Sequence, residues 1–258
     1  MDEKIHLVIP MAGEGQRFRK AGINTPKPLI DVGGVPMYQL VLSNLWSEHL
    51  GKITLIARSE FDIGSISRTL EERLGLEINV VTVEETTGGP ADSVSLAASF
   101  LEEEEAVVVA NSDQFVDTPI GEFYQGLLTR EISGSILTME DDDKKWSYVE
   151  LDSHGFVVRV VEKEVISRYA TIGIYGFRTA GSMLAAFSSM RAAGDEVNGE
   201  YYVGPAYNCL ERTNGPVIAR SVGQVRSVMF GLGTPEDLNF FLQSGPHGAV
   251  EKARKTFN

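Results

Sequence analysis

Short apolar runs alternate with amphipathic segments along the first half of the chain. The apolar runs are rich in Val and Ile, as buried strands are, and lie at residues 5–10, 53–57, 78–83 and 106–110. Between them, apolar residues recur at helical spacing over residues 37–46, 63–74 and 93–101. Strands that alternate with helices predict βαβ units, and therefore an α/β fold with a mainly parallel central sheet flanked by helices.

The pattern changes near residue 134, where strand candidates begin to follow one another closely. These candidates lie at residues 135–139, 147–151, 157–162 and 172–177. Their close spacing predicts mixed or antiparallel pairing at the edge of the parallel core. The remaining pattern predicts helices over 182–193 and 202–212, a strand over 216–222, and a helix that Thr234 caps and Pro235 begins. No linker or repeat divides the chain, so one domain with two lobes is expected.

The amino-acid composition mainly excludes some classes of protein. Of the 258 residues, 43% are hydrophobic, which is enough for a packed core. Lys and Arg number 23 against 36 Asp and Glu, a formal charge of −13, so binding to nucleic acid or to an anionic membrane is not expected. The one cysteine, Cys209, excludes an internal disulfide, and no apolar run approaches the roughly 18 residues of a membrane span. These features favour a cytoplasmic protein.

A loop of small residues follows the first predicted strand. It reads Met11-Ala12-Gly13-Glu14-Gly15, and Gln16-Arg17 come next. Small side chains let backbone N–H groups approach a phosphate, and a following helical turn adds partial positive charge. Arg17 can aim a planar guanidinium at an anion held there. The loop matches neither the dinucleotide fingerprint nor the Walker A pattern, so a plain strand–helix turn stays open at this point.

A second cation stands in a proline-rich segment, Thr25-Pro26-Lys27-Pro28. Proline fixes its own φ angle and disfavours the α conformation in the residue before it, so Lys27 is expected to be extended and stiffly held. Lys27 follows Arg17 by ten positions, and the two cations are expected to converge on one bound anion. A surface lysine in a turn is the alternative.

Together these motifs resemble the signature of the sugar-phosphate nucleotidyltransferases, the NDP-sugar pyrophosphorylases. The resemblance covers about residues 5–242 and includes segments at 199–202 and 232–238. It implies a Rossmann-like, GT-A-like fold with a nucleotide-binding half over about residues 1–132, an acceptor-binding half over about 133–242 and a C-terminal helix or tail at 243–258. The implied reaction joins a nucleoside triphosphate to a sugar 1-phosphate and releases pyrophosphate, in the synthesis of surface polysaccharide precursors.

The resemblance also implies roles for individual residues. Arg17 would bind the leaving pyrophosphate, and Lys27 would lie between the α-phosphate and the attacking phosphate. Asp113, in Asn111-Ser112-Asp113-Gln114, would bind Mg²⁺, for which Mn²⁺ could substitute. The implied acceptor-binding residues are Glu162, Lys163, Thr171 and Gly173. The implied nucleotide-binding residues are Met11, Ala12, Gly13, Glu14, Gly15, Glu84, Glu85, Gly88 and Gly89.

Two positions depart from the family's pattern. The family commonly has Gln a few residues before a Gly-rich stretch, whereas here Glu84 and Glu85 precede Gly88. A carboxylate beside the base accepts a hydrogen bond from the amino group of cytosine or guanine and repels O4 of uracil or thymine, which favours CTP or GTP. Gly231 stands where the family often carries a second metal-binding Asp, so Asp113, phosphates and water are expected to hold the ion.

The chemistry needs no protein nucleophile, because a sugar 1-phosphate is already ionised and requires positioning and charge neutralisation. The acceptor stays open. The segment at 170–173 lacks the family's usual Asn, which leaves a cytidylyltransferase for a phosphorylated small alcohol, amine or amino acid as an alternative. Gly231 favours a second alternative, a non-catalytic nucleotide- or sugar-binding homologue. The sequence does not reveal the oligomeric state and is compatible with a homo-oligomer.

Overall fold

Four parallel strands begin the main sheet of the computed structural model, which describes residues 3–257. β1 at Ile5–Pro10 lies between β2 at Leu50–Arg58 and β4 at Ala106–Ala110, and β3 at Glu77–Val83 lies beyond β2. These are the strands expected from the apolar runs. Parallel pairing brings the carboxyl ends of all four to one edge of the sheet, which is where such folds bind their ligands.

The rest of the sheet is mixed, as the close spacing of the later strands predicted. β9 (Tyr169–Phe177) runs antiparallel to both β4 and β6 (Gly134–Glu140), and β10 (Val217–Gln224) pairs in parallel with β6. A hairpin of β7 (Ser147–Leu151) and β8 (Val157–Glu162) joins β9 through β7. Because β9 runs in the opposite direction, its first half lies beside the carboxyl end of β4.

Helices cover both faces of the sheet. Leu7 of β1 belongs to one apolar cluster and Val8 to the other, so successive side chains of this strand pack on opposite faces. In the part of the chain that the structure describes, no helix is both long and apolar enough to cross a membrane. The helices are α1 (Gln16–Lys20), α2 (Met37–Leu45), α3 (Ile63–Leu74), α4 (Pro90–Ser95), α5 (Ile120–Thr129), α6 (Ala180–Ala193), α7 (Pro235–Ser244) and α8 (Ala249–Phe257). The result is a three-layered α/β architecture, as expected.

The expected helix over 202–212 is wrong, because the structure has only a short 3₁₀ helix there, at Pro205–Asn208. Gly204 and Pro205 are poor helix residues, and proline lacks the N–H that a helix interior uses. Tyr201, just before them, is tied into another segment: its N–H donates to Gly88 at 2.8 Å and its carbonyl accepts from Ala91 at 3.0 Å. Cys209 follows the short helix, and burial raises the pKa of its thiol.

The helix expected over 93–101 is also different in the structure. α4 begins earlier, with Pro90 in its first turn, and ends at Ser95; a 3₁₀ helix follows at Ala98–Phe100. The Ser95 hydroxyl donates to the carbonyl of Ala91 at 2.9 Å, a local bond of the kind that makes serine a weak helix former.

Two further elements, α5 and a small ribbon, were not expected from the sequence pattern, whereas α8 lies within the expected C-terminal helix or tail at 243–258. In the ribbon, β5 (Gln114–Val116) pairs antiparallel with β11 (Met229–Gly231). The N–H of Leu232 then donates to the carbonyl of Asp113 at 2.7 Å. The ribbon therefore brings a late segment of the chain against the end of β4.

Thr234 caps α7 as predicted, since its side chain accepts from the N–H of Asp237 at 3.1 Å. We expect Thr234→Ala to lower the free energy of unfolding by about 1 kcal/mol through loss of this cap. Urea unfolding measures the change, and Thr213→Ala, in an exposed loop, is the matched control. An unchanged unfolding midpoint for Thr234→Ala would show that the cap contributes nothing to stability.

Candidate active site

A cavity of about 290 Å³, here called the first cavity, opens at the carboxyl ends of β1 and β4. The loop after β1 forms one wall, and Lys27 and Asp113 face it from two other segments. The residues that line it are Pro10, Met11, Ala12, Gly13, Lys27, Pro28, Thr86, Thr87, Gly89, Pro90, Ser93, Asn111, Ser112, Asp113 and Glu200. This is the crevice in which open α/β sheets bind ligands.

The loop after β1 is anchored at both ends. The N–H of Met11 donates to the carbonyl of Ile56 on β2 at 2.8 Å, and Gly15 is the N-terminal cap of α1. The helical turn expected after the loop is therefore present. A Cβ atom on Gly15 would lie 3.2 Å from Cβ of Lys27, so the loop and Lys27 adjoin closely.

Lys27 and Asp113 form an ion pair at the first cavity. Nζ of Lys27 donates to Oδ2 of Asp113 at 2.5 Å, and the two side chains are 20% and 28% exposed. The extended conformation expected for Lys27 is wrong, because Lys27 begins a 3₁₀ helix that ends at Leu29 and the extended residue is Pro26. The pair remains accessible to a ligand because neither group is fully buried.

A second cavity of about 180 Å³ adjoins the first, and Pro90 and Asn111 line both. Its other lining residues come from β7, β8, β9 and two connecting segments, and are Lys145, Trp146, Ser147, Glu162, Thr171, Gly173, Tyr175, Tyr202 and Val203. Three of them are aromatic, and most of the others can form hydrogen bonds. The second cavity thus combines apolar ring surfaces with polar groups, as sites for small molecules do.

Glu162 is the buried carboxylate of the second cavity, with its side chain only 5% exposed. Burial raises the pKa of this carboxyl above its ordinary value, an effect that its hydrogen bond from Ser147 opposes. Ser147 and Glu162 face each other across the β7–β8 hairpin. The hairpin register therefore sets where this carboxyl points.

Lys163 and two residues from the 199–202 segment form a chain of hydrogen bonds. Nζ of Lys163 donates to the hydroxyl of Tyr202 at 2.5 Å, and that hydroxyl donates to Glu200. Burial raises the pKa of Tyr202, and the hydrogen bond to Glu200 adds to the effect. Since Tyr202 lines the second cavity and Glu200 the first, this chain of hydrogen bonds runs between the two.

A sequence model of one protein family, described as nucleotidyl transferase, matches residues 7–197. That range is most of the chain and includes the loop after β1, Lys27, Asp113, Glu162 and the second cavity's strands. The chain belongs to the nucleotidyl transferase family.

Known relatives are identical to this nucleotidyl transferase at about a quarter of the aligned positions. A mannose-1-phosphate guanyltransferase from Candida albicans is 28% identical over 176 residues, which are 65% of this chain and 48% of that protein. A 2-aminoethylphosphonate cytidylyltransferase from Lancefieldella rimae is 28% identical over 184 residues, 68% of each chain. The chain thus spans about half the length of the guanyltransferase that it matches.

Solved structures share the fold of this nucleotidyl transferase. A nucleoside-diphosphate-sugar pyrophosphorylase from Vibrio cholerae superposes with a TM-score of 0.76 at 23% identity, covering 92% of this chain and 99% of that one. An inositol-1-phosphate CTP transferase from T. maritima gives a TM-score of 0.72 at 16% identity, covering 99% and 97%. At these identities the likeness supports the expected nucleotidyltransferase fold and no more.

The structure brings together about half of the site residues expected from the sequence. Lining the first cavity are Met11, Ala12, Gly13, Lys27, Gly89 and Asp113, and lining the second are Glu162, Thr171 and Gly173. Lys163 reaches the second cavity through Tyr202. Outside both linings lie Glu14, Gly15, Arg17, Glu84, Glu85 and Gly88. Arg17 is exposed on α1, and the Glu84 carboxylate accepts from the Ser59 hydroxyl at 2.7 Å.

Gly231, at the position of the family's second Asp, lies on β11 opposite Gln114. A Cβ atom there would lie 3.5 Å from the carboxylate of Asp237, so this position faces α7. Two residues further on, a Cβ on Gly233 would lie 2.5 Å from Oδ2 of Asp113. In this late segment of the chain, Gly233 is therefore the residue that adjoins the Asp113 carboxylate.

Several residues that line the cavities were not expected as site residues. Thr87 and Ser93 share a hydrogen bond of 2.7 Å in the first cavity, and Trp146 and Tyr175 belong to the second. Asn111 belongs to both. Only Asn111 carried a usable signal, because it directly follows a buried strand whose end forms the ligand edge of the sheet.

The raised pKa of Glu162 leads to a testable prediction about how the stability of the protein depends on pH. Because the folded-state pKa is raised, the folded protein holds more protons than the unfolded chain between the ordinary value of 4.5 and the raised value, so stability falls as pH rises through that window. We expect Glu162→Gln to remove this loss of stability with rising pH. Urea unfolding at a series of pH values measures it, with exposed Glu164→Gln as the control. Equal pH dependence in wild type and Glu162→Gln would contradict the prediction.

Proposed function

We propose that this nucleotidyl transferase joins a nucleoside triphosphate to a phosphorylated small-molecule acceptor and releases pyrophosphate. The observation that carries the proposal is the convergence of Lys27 and Asp113 on the first cavity, beside a second cavity that contains Glu162. One cavity suits the triphosphate and the other the acceptor, and the reacting phosphates would meet where the two adjoin.

The reaction then requires no nucleophile from the protein. An ionised oxygen of the acceptor attacks the α-phosphorus, and the bond to the β-phosphate oxygen breaks as pyrophosphate leaves. Lys27 would neutralise charge that develops between the two phosphates, and Arg17 on α1 would contact the pyrophosphate. In agreement with this scheme, no histidine or cysteine is among the described residues that line either cavity.

A divalent cation fits the site only together with the substrate. Asp113 presents one partly exposed carboxylate, and the described residues contain no group of three or more His, Cys, Asp or Glu side chains that could hold a metal by themselves. Mg²⁺ is commonly bound by one or two carboxylates plus substrate phosphates and water. Asp113 would hold it in this way, and the ion, when bound, would neutralise triphosphate charge.

The leading acceptor is a sugar 1-phosphate. Glu162, Ser147, Thr171 and Asn111 place oxygen and nitrogen atoms on several sides of the second cavity, as a polyhydroxylated ligand requires. The guanyltransferase relative from Candida albicans, named for mannose 1-phosphate, supports this choice. An activated sugar of this kind would serve as a precursor of surface polysaccharide.

A second candidate acceptor is a phosphorylated or phosphonylated amine, used with CTP. Trp146, Tyr175 and Tyr202 surround the same cavity as the Glu162 carboxylate, and aromatic faces with one carboxylate bind ammonium groups well. The cytidylyltransferase relative from Lancefieldella rimae, named for 2-aminoethylphosphonate, supports this candidate.

We expect the protein to release pyrophosphate from GTP or CTP with Mg²⁺ and one acceptor of a panel. The panel contains mannose 1-phosphate, glucose 1-phosphate, phosphocholine and 2-aminoethylphosphonate, which separates the two candidate classes. Lys27→Ala should lower kcat by about 100-fold or more, because it removes a donor that acts on transition-state charge. Lys20→Ala, exposed on α1, is the control. Loss of thermal stability in Lys27→Ala, in place of activity, would contradict a catalytic role.

We also propose that the base is read near Glu84 and Glu85, which favours CTP or GTP over UTP and dTTP by at least roughly tenfold in kcat/KM. The two glutamates differ in the structure. Glu84 already accepts a hydrogen bond from Ser59, whereas Glu85 is exposed. Glu85→Gln should therefore reduce the preference for CTP or GTP, and Glu84→Gln should change that preference less. Competition assays with paired triphosphates measure the ratio. Equal use of dTTP by the unmodified protein would overturn the proposal.

A further inference from the structure

Asn111 occupies a special place among the described residues, because only it and Pro90 line both cavities. Proline has no N–H and its ring cannot form a hydrogen bond. Of these two residues, therefore, only Asn111 has a side chain that can donate or accept a hydrogen bond. Its carboxamide is therefore within reach of ligands in both cavities.

The backbone of Asn111 is held independently of its side chain. Its N–H donates to the carbonyl of Gly173 at 2.9 Å, which continues the pairing of β4 with β9. In contrast, the Asn111 carboxamide makes no hydrogen bond to any residue that the structure describes. A substitution at position 111 can therefore remove the carboxamide and leave the strand connection in place.

Gly173 provides the space in which this carboxamide lies. A Cβ atom at position 173 would collide with the Asn111 amide nitrogen and would lie 2.8 Å from Oε1 of Gln114. Gly173 also has a positive φ of 74°, a backbone angle that residues with a side chain rarely adopt. Beneath it Gln114, only 6% exposed, has a side-chain nitrogen without a hydrogen-bond partner among residues 3–257. Glycine at position 173 thus leaves room for two neighbouring amides, of which that of Asn111 lines the second cavity.

We propose that Asn111 is a catalytic residue that donates a hydrogen bond from its amide to the acceptor phosphate and aims the attacking oxygen at the α-phosphorus. This inference rests on the proposed function. In the step itself the acceptor oxygen forms the new bond to phosphorus, and the electron pair of the broken bond leaves with pyrophosphate. Asn111 transfers no proton. Its neutral amide can touch both phosphates without adding negative charge, whereas Lys27 supplies the positive charge.

The first test substitutes Asn111 by Ala. We expect kcat to fall about tenfold to 100-fold, the value of one hydrogen bond to a charged group, while the Kd for GTP or CTP with Mg²⁺ changes less than about threefold. Thermal unfolding should be unchanged, because the backbone bond to Gly173 remains. Asn79→Ala is the matched control: Asn79 is also half-buried, but it lies on β3 and its amide donates to Glu77.

Asn111→Asp separates an orienting amide from a merely structural one. At neutral pH the new carboxylate repels the phosphates, so kcat should fall further than in Asn111→Ala. A merely structural role for Asn111 predicts equal kcat in Asn111→Ala and Asn111→Asp together with lowered thermal stability in both, and that result would overturn the proposal.

Gly173→Ala completes a double-mutant cycle with Asn111→Ala. If glycine serves to make room for the carboxamide, Gly173→Ala should lower kcat more in the wild type than in the Asn111→Ala background, where only the strained φ and the close approach to Gln114 remain. Additive losses would overturn the proposal. A wild-type protein that forms no nucleotidyl product with any acceptor in the panel would refute the proposed function itself. An active wild type together with undiminished kcat in Asn111→Ala would refute the role of Asn111 alone.

Discussion

The parallel pairing of β1 with β4 is the constraint on which the rest of the site depends. Val8 pairs with Val109 in the middle of the sheet, so the two strands end side by side. The loop after Pro10 therefore lies next to Asp113, and Lys27 can form an ion pair with a carboxylate 86 residues away along the chain. Both strands are buried on both faces, which makes a shift in their register costly.

The reversed direction of β9 is what places a second cavity beside the first. A further parallel strand would have brought its carboxyl end to this edge, whereas β9 presents its first half, with Thr171 and Gly173, next to the end of β4. The β7–β8 hairpin pairs with the same part of β9 and adds Ser147 and Glu162. Two ligands can then meet at one edge of a single sheet, at the position of Asn111.

The positive charge of the lysines at this edge of the sheet is opposite to the net negative charge of the whole protein. With a formal charge of −13, the overall field repels phosphates, so local cations must hold them. Lys27 and Lys163 are both kept in place by partners, Asp113 for the first and Tyr202 with Glu162 for the second. The Lys27–Asp113 pair is partly exposed, and such pairs contribute little to stability, so an anionic ligand can compete for Lys27.

The sequence by itself determined the strands of the parallel core, the mixed pairing after residue 134, the cap at Thr234 and the family, because each of these has a local signature in periodicity, cap chemistry or motif. Thr87, Ser93, Trp146 and Tyr175 became site residues only through tertiary structure, which also separated Glu84 from the first cavity. The same holds for the segment at 202–212, where backbone bonds of Tyr201 to Gly88 and Ala91 hold the chain before Pro205. Contacts between residues distant along the chain depend on sheet order and register, and a single sequence contains no local pattern that encodes them.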